Sequence, residues 1–246
     1  MKYISIIVIA SLPFISHAES NNTTNQSFSK AKSMLEKEVY NNHRETIYCA
    51  AVFDEKNFVV APEGFESDKY KKRAKKIEWE HVVAAENFGR NFSEWRDGDK
   101  DCVSSEGKSF SGRACAEKIN IEYRYMQADM YNLYPAIGSV NALRKNYNFV
   151  ADNDSTSSFG SCDMRISDSK AVPSEGSRGR IARTHLYMDS SYKNFKMSKQ
   201  QKQLMTAWDK MYPVSQWECE RVQKIFKLQG NMNNIVKDRC IESNLW

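Results

Sequence analysis

The chain has 246 residues, 36 of them basic and 31 acidic, for a formal net charge of +5. That length suits one large domain, and so modest a charge excess is compatible with a polyanionic partner without requiring one. After the first residues no apolar run is long enough to cross a bilayer, so no membrane span is expected. Lys2, the apolar "YISIIVIASLPFI" and the small residues of Ser16-His17-Ala18 together read as a secretory signal peptide over residues 1–18. Residues 19–27 are polar and are expected to be flexible, with a single domain following over 28–246. Phe28, Ala31, Leu35 and Val39 repeat at helical spacing behind Ser27, a plausible N-cap. Thr46–Asp54 is rich in strand formers, and residues 55–76 are polar and lysine-rich, with Pro62 and Gly64 marking a turn. Ile77–Glu80 alternates apolar and acidic as a strand does, but His81 falls on the apolar phase and Val82-Val83 follow as a pair. Residues 89–121 read as a long irregular segment that needs a tie, which Cys102 and Cys115 could supply, contributing about 3 kcal/mol. "IEYRYMQADMYNLYPAIG" carries a helical stripe of Tyr123, Met126, Met130 and Leu133, ended by Pro135. "RGRIARTHLYMDSSY" also reads as helical. Ser198-x-x-Gln201 and Ser215-x-x-Glu218 are capping boxes, and Gly230 is a C-cap. The balance is a helix-rich α+β domain.

Six cysteines behind a signal peptide point to disulfides in an oxidising compartment, with the pairing left open by sequence. No C-x2-C pair is present to suggest a zinc cluster. No zinc-protease H-E-x-x-H, nucleophile elbow or P-loop occurs either. Once the leader is removed only His43, His81 and His185 remain for histidine chemistry. Glu80 and His81 are adjacent, and neighbouring strand residues point to opposite faces. The broken alternation suggests that the strand ends there with the backbone bending, and neighbouring residues at a strand end can also flank one group from different directions.

Five ordered segments carry a resemblance: "KKIEWEHVVAAENFG", "MYNLYPAIGSVN", "FGSCDMRI", "RGRIARTHLYM" and "MSKQQKQLMTAWDKMYPVSQWECER…QGN". Their order and length resemble the bacterial endonuclease I family, secreted and periplasmic nucleases with a ββα-metal (His-Me finger) site, over Phe28 to Cys240. The resemblance implies a helix-rich α+β domain with a small antiparallel sheet. It also implies a monomer that cuts double- and single-stranded DNA, and RNA, with little sequence preference and 5′-phosphate products. It assigns Glu80 and Asn132 as ligands of one Mg²⁺, with Ca²⁺ or Mn²⁺ as substitutes, and His81 as general base. A phosphate-binding arginine is also implied, with Arg96, Arg113, Arg180 and Arg183 as candidates. The implied disulfides are Cys49–Cys162, Cys102–Cys115 and Cys219–Cys240. Three departures stand out: Ala84 where many relatives have proline, Asn141-Ala142-Leu143-Arg144 where many read "VNGDR", and Ala50-Ala51 after Cys49. None touches the three expected site residues. Two other readings compete: a metal-independent secreted ribonuclease using His81 and His185, and a non-catalytic, disulfide-stapled polyanion binder.

Overall fold

The computed structural model describes residues 21–152 and 154–246; the expected signal peptide lies outside the described residues. Ser27 caps α1 (Phe28–Met34) by accepting the Lys30 N–H, and the helix runs on into a π-helical turn, Leu35–Val39. Two short hairpin strands, β1 (Val52–Phe53) and β2 (Val59–Val60), lead to β3 (Ile77–His81). Short helices α2 (Ala85–Gly89), α3 (Ser93–Arg96), α4 (Gly112–Ile119) and α5 (Ile121–Gln127) follow, then β4 (Leu133–Ile137) and α6 (Gly138–Arg144). A small sheet of β5 (Asn148–Phe149), β6 (Arg165–Ser167) and β7 (Lys170–Val172) has β7 in the middle, parallel to β5 and antiparallel to β6. The chain ends in α7 (Glu175–Ser191), α8 (Lys199–Met211), α9 (Gln216–Gln229) and α10 (Asn234–Glu242). Helices dominate and the sheets are small, an α+β arrangement.

Residues 21–27 are not a loose tail. Asn22 is fully buried and its side-chain amide donates to the Tyr125 carbonyl at 2.8 Å, while the Thr24 hydroxyl donates to the Gln229 carbonyl at 2.7 Å. Polar composition suggested flexibility, but these short amide and hydroxyl side chains find backbone partners on α5 and α9. The helix expected from Ile121 up to Pro135 is also corrected. Its stripe residues are indeed buried, but α5 stops at Gln127 and a 3₁₀ turn over Met130–Asn132 hands the chain to β4. β4 pairs antiparallel with β3, in register from Ile77↔Ile137 to His81↔Leu133. Pro135 is tolerated in this strand because its polar edge faces away from β3: its carbonyl accepts the Ile47 N–H at 2.8 Å.

Ser198 and Ser215 cap α8 and α9, accepting the Gln201 and Glu218 N–H groups, and Gly230 ends α9 at φ 87°. Glu218 does not complete its capping box, because its carboxylate takes a two-pronged contact from buried Arg183 at 2.7 and 2.6 Å. The disulfides are Cys49–Cys162, Cys102–Cys115 and Cys219–Cys240, the pairs implied by the resemblance. The stretch 89–121, expected to be irregular throughout, contains α3 and α4; Cys102–Cys115 ties the loop between them to α4, and Cys219–Cys240 joins α9 to α10.

Candidate active site

β3, β4 and α6 form a continuous strand–strand–helix unit. Alternation along β3 turns Glu78 and Glu80 to one face and Trp79 and His81 to the other. α6 packs on the glutamate face. Gly138 permits that approach, since a Cβ there would lie 2.5 Å from the Arg73 carbonyl oxygen. Two side chains of α6 then reach β3. The Asn141 amide nitrogen donates to Glu78 Oε2 at 2.9 Å. Arg144, fully buried, donates from Nη1 to Glu80 Oε1 and the His81 carbonyl, both at 2.9 Å, and from Nη2 to the Val82 carbonyl at 2.6 Å.

Glu80 is 4% exposed, and its Oε1 also accepts the Tyr48 hydroxyl at 2.9 Å. Both side-chain partners fall on Oε1, so Oε2 accepts no hydrogen bond among the described residues. Burial pushes the Glu80 carboxyl up from its ordinary value, against the opposing pull of Arg144 and Tyr48. The carboxylate is thus gripped on one oxygen and open on the other.

His81 is 6% exposed, with Nε2 2.8 Å from the Gln127 carbonyl oxygen. A carbonyl only accepts, so Nε2 carries the proton and Nδ1 keeps its lone pair. The Phe28 ring lies 4.8 Å away, centroid to centroid, and Phe88 closes the other side at 6.3 Å. Burial lowers the imidazole pKa to about 3; the Gln127 contact opposes this, while repulsion from Arg113 and Arg144 adds to it. The ring is therefore neutral near pH 7, with one nitrogen fixed as donor and the other left basic.

The chain does leave strand geometry after His81. The Val83 N–H donates to Asn132 Oδ1 at 2.7 Å, and the Asn132 amide nitrogen donates back to the Val83 carbonyl at 2.9 Å. This two-bond clasp fixes the bend. It also accounts for Asn132, which is fully buried and has both amide ends engaged on backbone. The expected ligand position is corrected on this geometry: Asn132 is not presented to the cleft beside Glu80, whereas Asn141 is. That cleft, of about 400 Å³, is bordered by Glu80, His81, Arg113, Asn141 and Lys145, with Phe28 and Trp79 as an aromatic wall. Glu78 holds the Asn141 nitrogen, and the amide oxygen accepts no hydrogen bond among the described residues. Two residues missed in the sequence, Asn141 and Arg144, lie in the stretch set against "VNGDR" and match its asparagine and arginine; the departures, Ala142 and Leu143, fall between them.

Of the four arginines, Arg113 alone borders this cleft. Arg183 is spent on Glu218 and Asp209 inside the core. Arg180 pairs with Glu45 at 3.5 Å beside another cleft, bordered by His43 and Trp217. Arg96 donates to the Arg90 carbonyl at 2.7 Å and sits near Asp97. His185 donates from Nδ1 to the Ile181 carbonyl at 2.9 Å and borders a different cleft from His81. The paired-histidine reading thus loses its geometry.

Comparison with known proteins agrees with the resemblance. The family model described as Endonuclease I matches residues 15–240. An extracellular deoxyribonuclease of Aeromonas hydrophila is 38% identical over 223 residues, covering 87% of this chain and 90% of that protein. A periplasmic deoxyribonuclease of the same species is 38% identical, covering 87% of each chain. Endonuclease-1 of Buchnera aphidicola subsp. Acyrthosiphon pisum is 34% identical over 224 residues, covering 88% of this chain and 83% of that one. The chain belongs to the endonuclease I family.

Proposed function

We propose that this protein is an exported, metal-dependent endonuclease that hydrolyses phosphodiester bonds of DNA, and of RNA, without sequence preference, leaving 5′-phosphates. One observation carries the reading. The neutral His81, with Nδ1 free, borders the same cleft as the open Oε2 of Glu80 and the amide oxygen of Asn141. Glu80 and Asn141 offer one carboxylate and one amide oxygen, hard donors that suit a single Mg²⁺, with Mn²⁺ or Ca²⁺ as substitutes. The carboxylate's second oxygen is held by Arg144 and Tyr48, and the amide's nitrogen by Glu78, which orients both donors. Bound there, the ion would supply Lewis-acid stabilisation of charge developing on the phosphate. The strand–strand–helix unit β3–β4–α6 is read as the ββα (His-Me finger) frame.

His81 Nδ1 takes a proton from the water whose oxygen bonds to phosphorus, and the Gln127 carbonyl stabilises the charge the ring acquires at Nε2. The bond from phosphorus to the 3′ oxygen breaks, and that oxygen leaves with a proton from a solvent water. Arg113, on the His81 side of the cleft, offsets charge on the scissile phosphate. Contacts of this kind address backbone rather than bases, which fits action without sequence preference. The extracellular and periplasmic relatives support export, as do three disulfides suited to an oxidising compartment. As the resemblance implies, the protein is taken to act as a monomer.

The oxidised protein, incubated with plasmid DNA or RNA in Mg²⁺, is expected to cut both, and excess chelator to abolish cutting. DNA cleavage that persists after complete metal removal would contradict the reading. Cleavage of RNA alone, insensitive to chelator, would instead support a metal-independent ribonuclease.

A further inference from the structure

Lys145 caps α6 in a backbone conformation that lysine rarely adopts, with φ 52° and ψ −133°. The Tyr147 N–H donates to the Arg144 carbonyl at 3.2 Å, closing a turn whose first central residue is Lys145. Those dihedrals are of the type II′ turn, where glycine is the ordinary occupant because a Cβ is strained. Packing does not explain the lysine. Its side chain is exposed; the ammonium lies 5.4 Å from the centre of the Tyr147 ring and, close to its hydroxyl, pulls the Tyr147 pKa down, a contact a flexible stem can leave. Strained non-glycine backbone clusters at functional sites, and among the described non-glycine residues with positive φ only Lys145 borders the cleft of Glu80 and His81.

Position supplies the function. Lys145 borders the cleft of Glu80 and His81, and it follows Asn141 by four residues on the same helix end. Arg113 stands at the same cleft and acts electrostatically on His81. Two cations therefore border it, one acting on the general base and one beside the amide of α6. A scissile phosphate already faced by Arg113 leaves Lys145 for the neighbouring phosphate of the same strand. A lysine ammonium is a point charge that accepts a phosphate in many orientations, as a substrate of arbitrary sequence requires.

We propose that Lys145 is a substrate-binding residue that holds the nucleic-acid phosphate next to the scissile one, on the Glu80–Asn141 side of the cleft. This rests on the nuclease reading of that cleft. The test uses DNA affinity measured by fluorescence anisotropy against salt concentration, in a His81→Ala protein that leaves the DNA intact. Steady-state kinetics and thermal unfolding are measured without that change. Lys145→Gly is expected to reduce the slope of log affinity against log salt by about 0.9. It should raise KM several-fold, more than it alters kcat, and leave Tm unchanged or raised, because glycine relaxes the turn. Lys145→Ala should show the same binding loss without the gain in Tm, and Lys145→Arg should restore the slope. An unchanged slope and KM in Lys145→Gly, in a parent protein that cuts DNA, would overturn this role and leave the nuclease reading standing. A parent protein that cuts no nucleic acid in Mg²⁺ would overturn both.

Discussion

His81→Ala is expected to lower the rate of DNA cleavage by about 10³-fold, within the range general bases contribute, with KM changed far less. The size follows from the site's construction. Among the described residues no other imidazole borders this cleft, and His185 faces a different one. The tautomer is locked by the Gln127 carbonyl at 2.8 Å, so Nδ1 is the one basic nitrogen presented. Removing the ring also leaves that carbonyl without its buried donor, at a cost of about 1–3 kcal/mol, so thermal unfolding must be followed alongside activity. Exogenous imidazole supplied to the variant should recover part of the rate, which a purely structural loss would not allow. A variant that retains a tenth or more of the parent rate would remove His81 from the role of base.

Asn141→Ala and Asn132→Ala should fail in different ways. Asn141 is partly exposed at the cleft and bonded only through its nitrogen, to Glu78. Its loss should lower activity at least about 10-fold, with Tm nearly unchanged and with partial recovery at higher Mg²⁺. Asn132 clasps Val83 by two backbone hydrogen bonds in a fully buried setting. Removing it orphans a buried N–H and a buried carbonyl and should cost about 2–4 kcal/mol of stability, with no recovery from added Mg²⁺. Mg²⁺-dependent rescue of Asn132→Ala, seen in activity titrations, would return the ligand role to Asn132.

The exchange between these two asparagines shows how much of the site the sequence carried. β3 was legible because it is half-buried and alternates, and its end was legible because His81 and Val82-Val83 break the alternation. The helix caps at Ser27, Ser198, Ser215 and Gly230 were legible because capping is local chemistry. β4 was not. All five of its residues are buried, so it shows no alternation, and it continues the helical stripe of Tyr123, Met126 and Met130 without a break. Read as helix, this stretch put Asn132 on the element that faces Glu80. Read as strand, it makes Asn132 the clasp at the hairpin's end and moves the facing helix on to Asn141. Arg144 escaped for a related reason: a helix-terminal arginine ordinarily faces water, and only the pairing of β3 with β4 brings α6 over the buried Glu80. Polar residues 21–27 misled in the same way, since hydrogen bonds to distant backbone at Tyr125 and Gln229 leave no local pattern.

If Glu80, Asn141 and His81 form one metal-assisted hydrolytic site, a crystal of the His81→Ala protein with Mn²⁺ and a short DNA duplex will show it in the anomalous signal of the ion. One peak is expected about 2.1 Å from Glu80 Oε2 and the Asn141 amide oxygen, with a phosphate oxygen and waters completing the shell. A peak beside Glu45 and Glu175 in the cleft of Trp217, or DNA bound with no ion at Glu80, would contradict it.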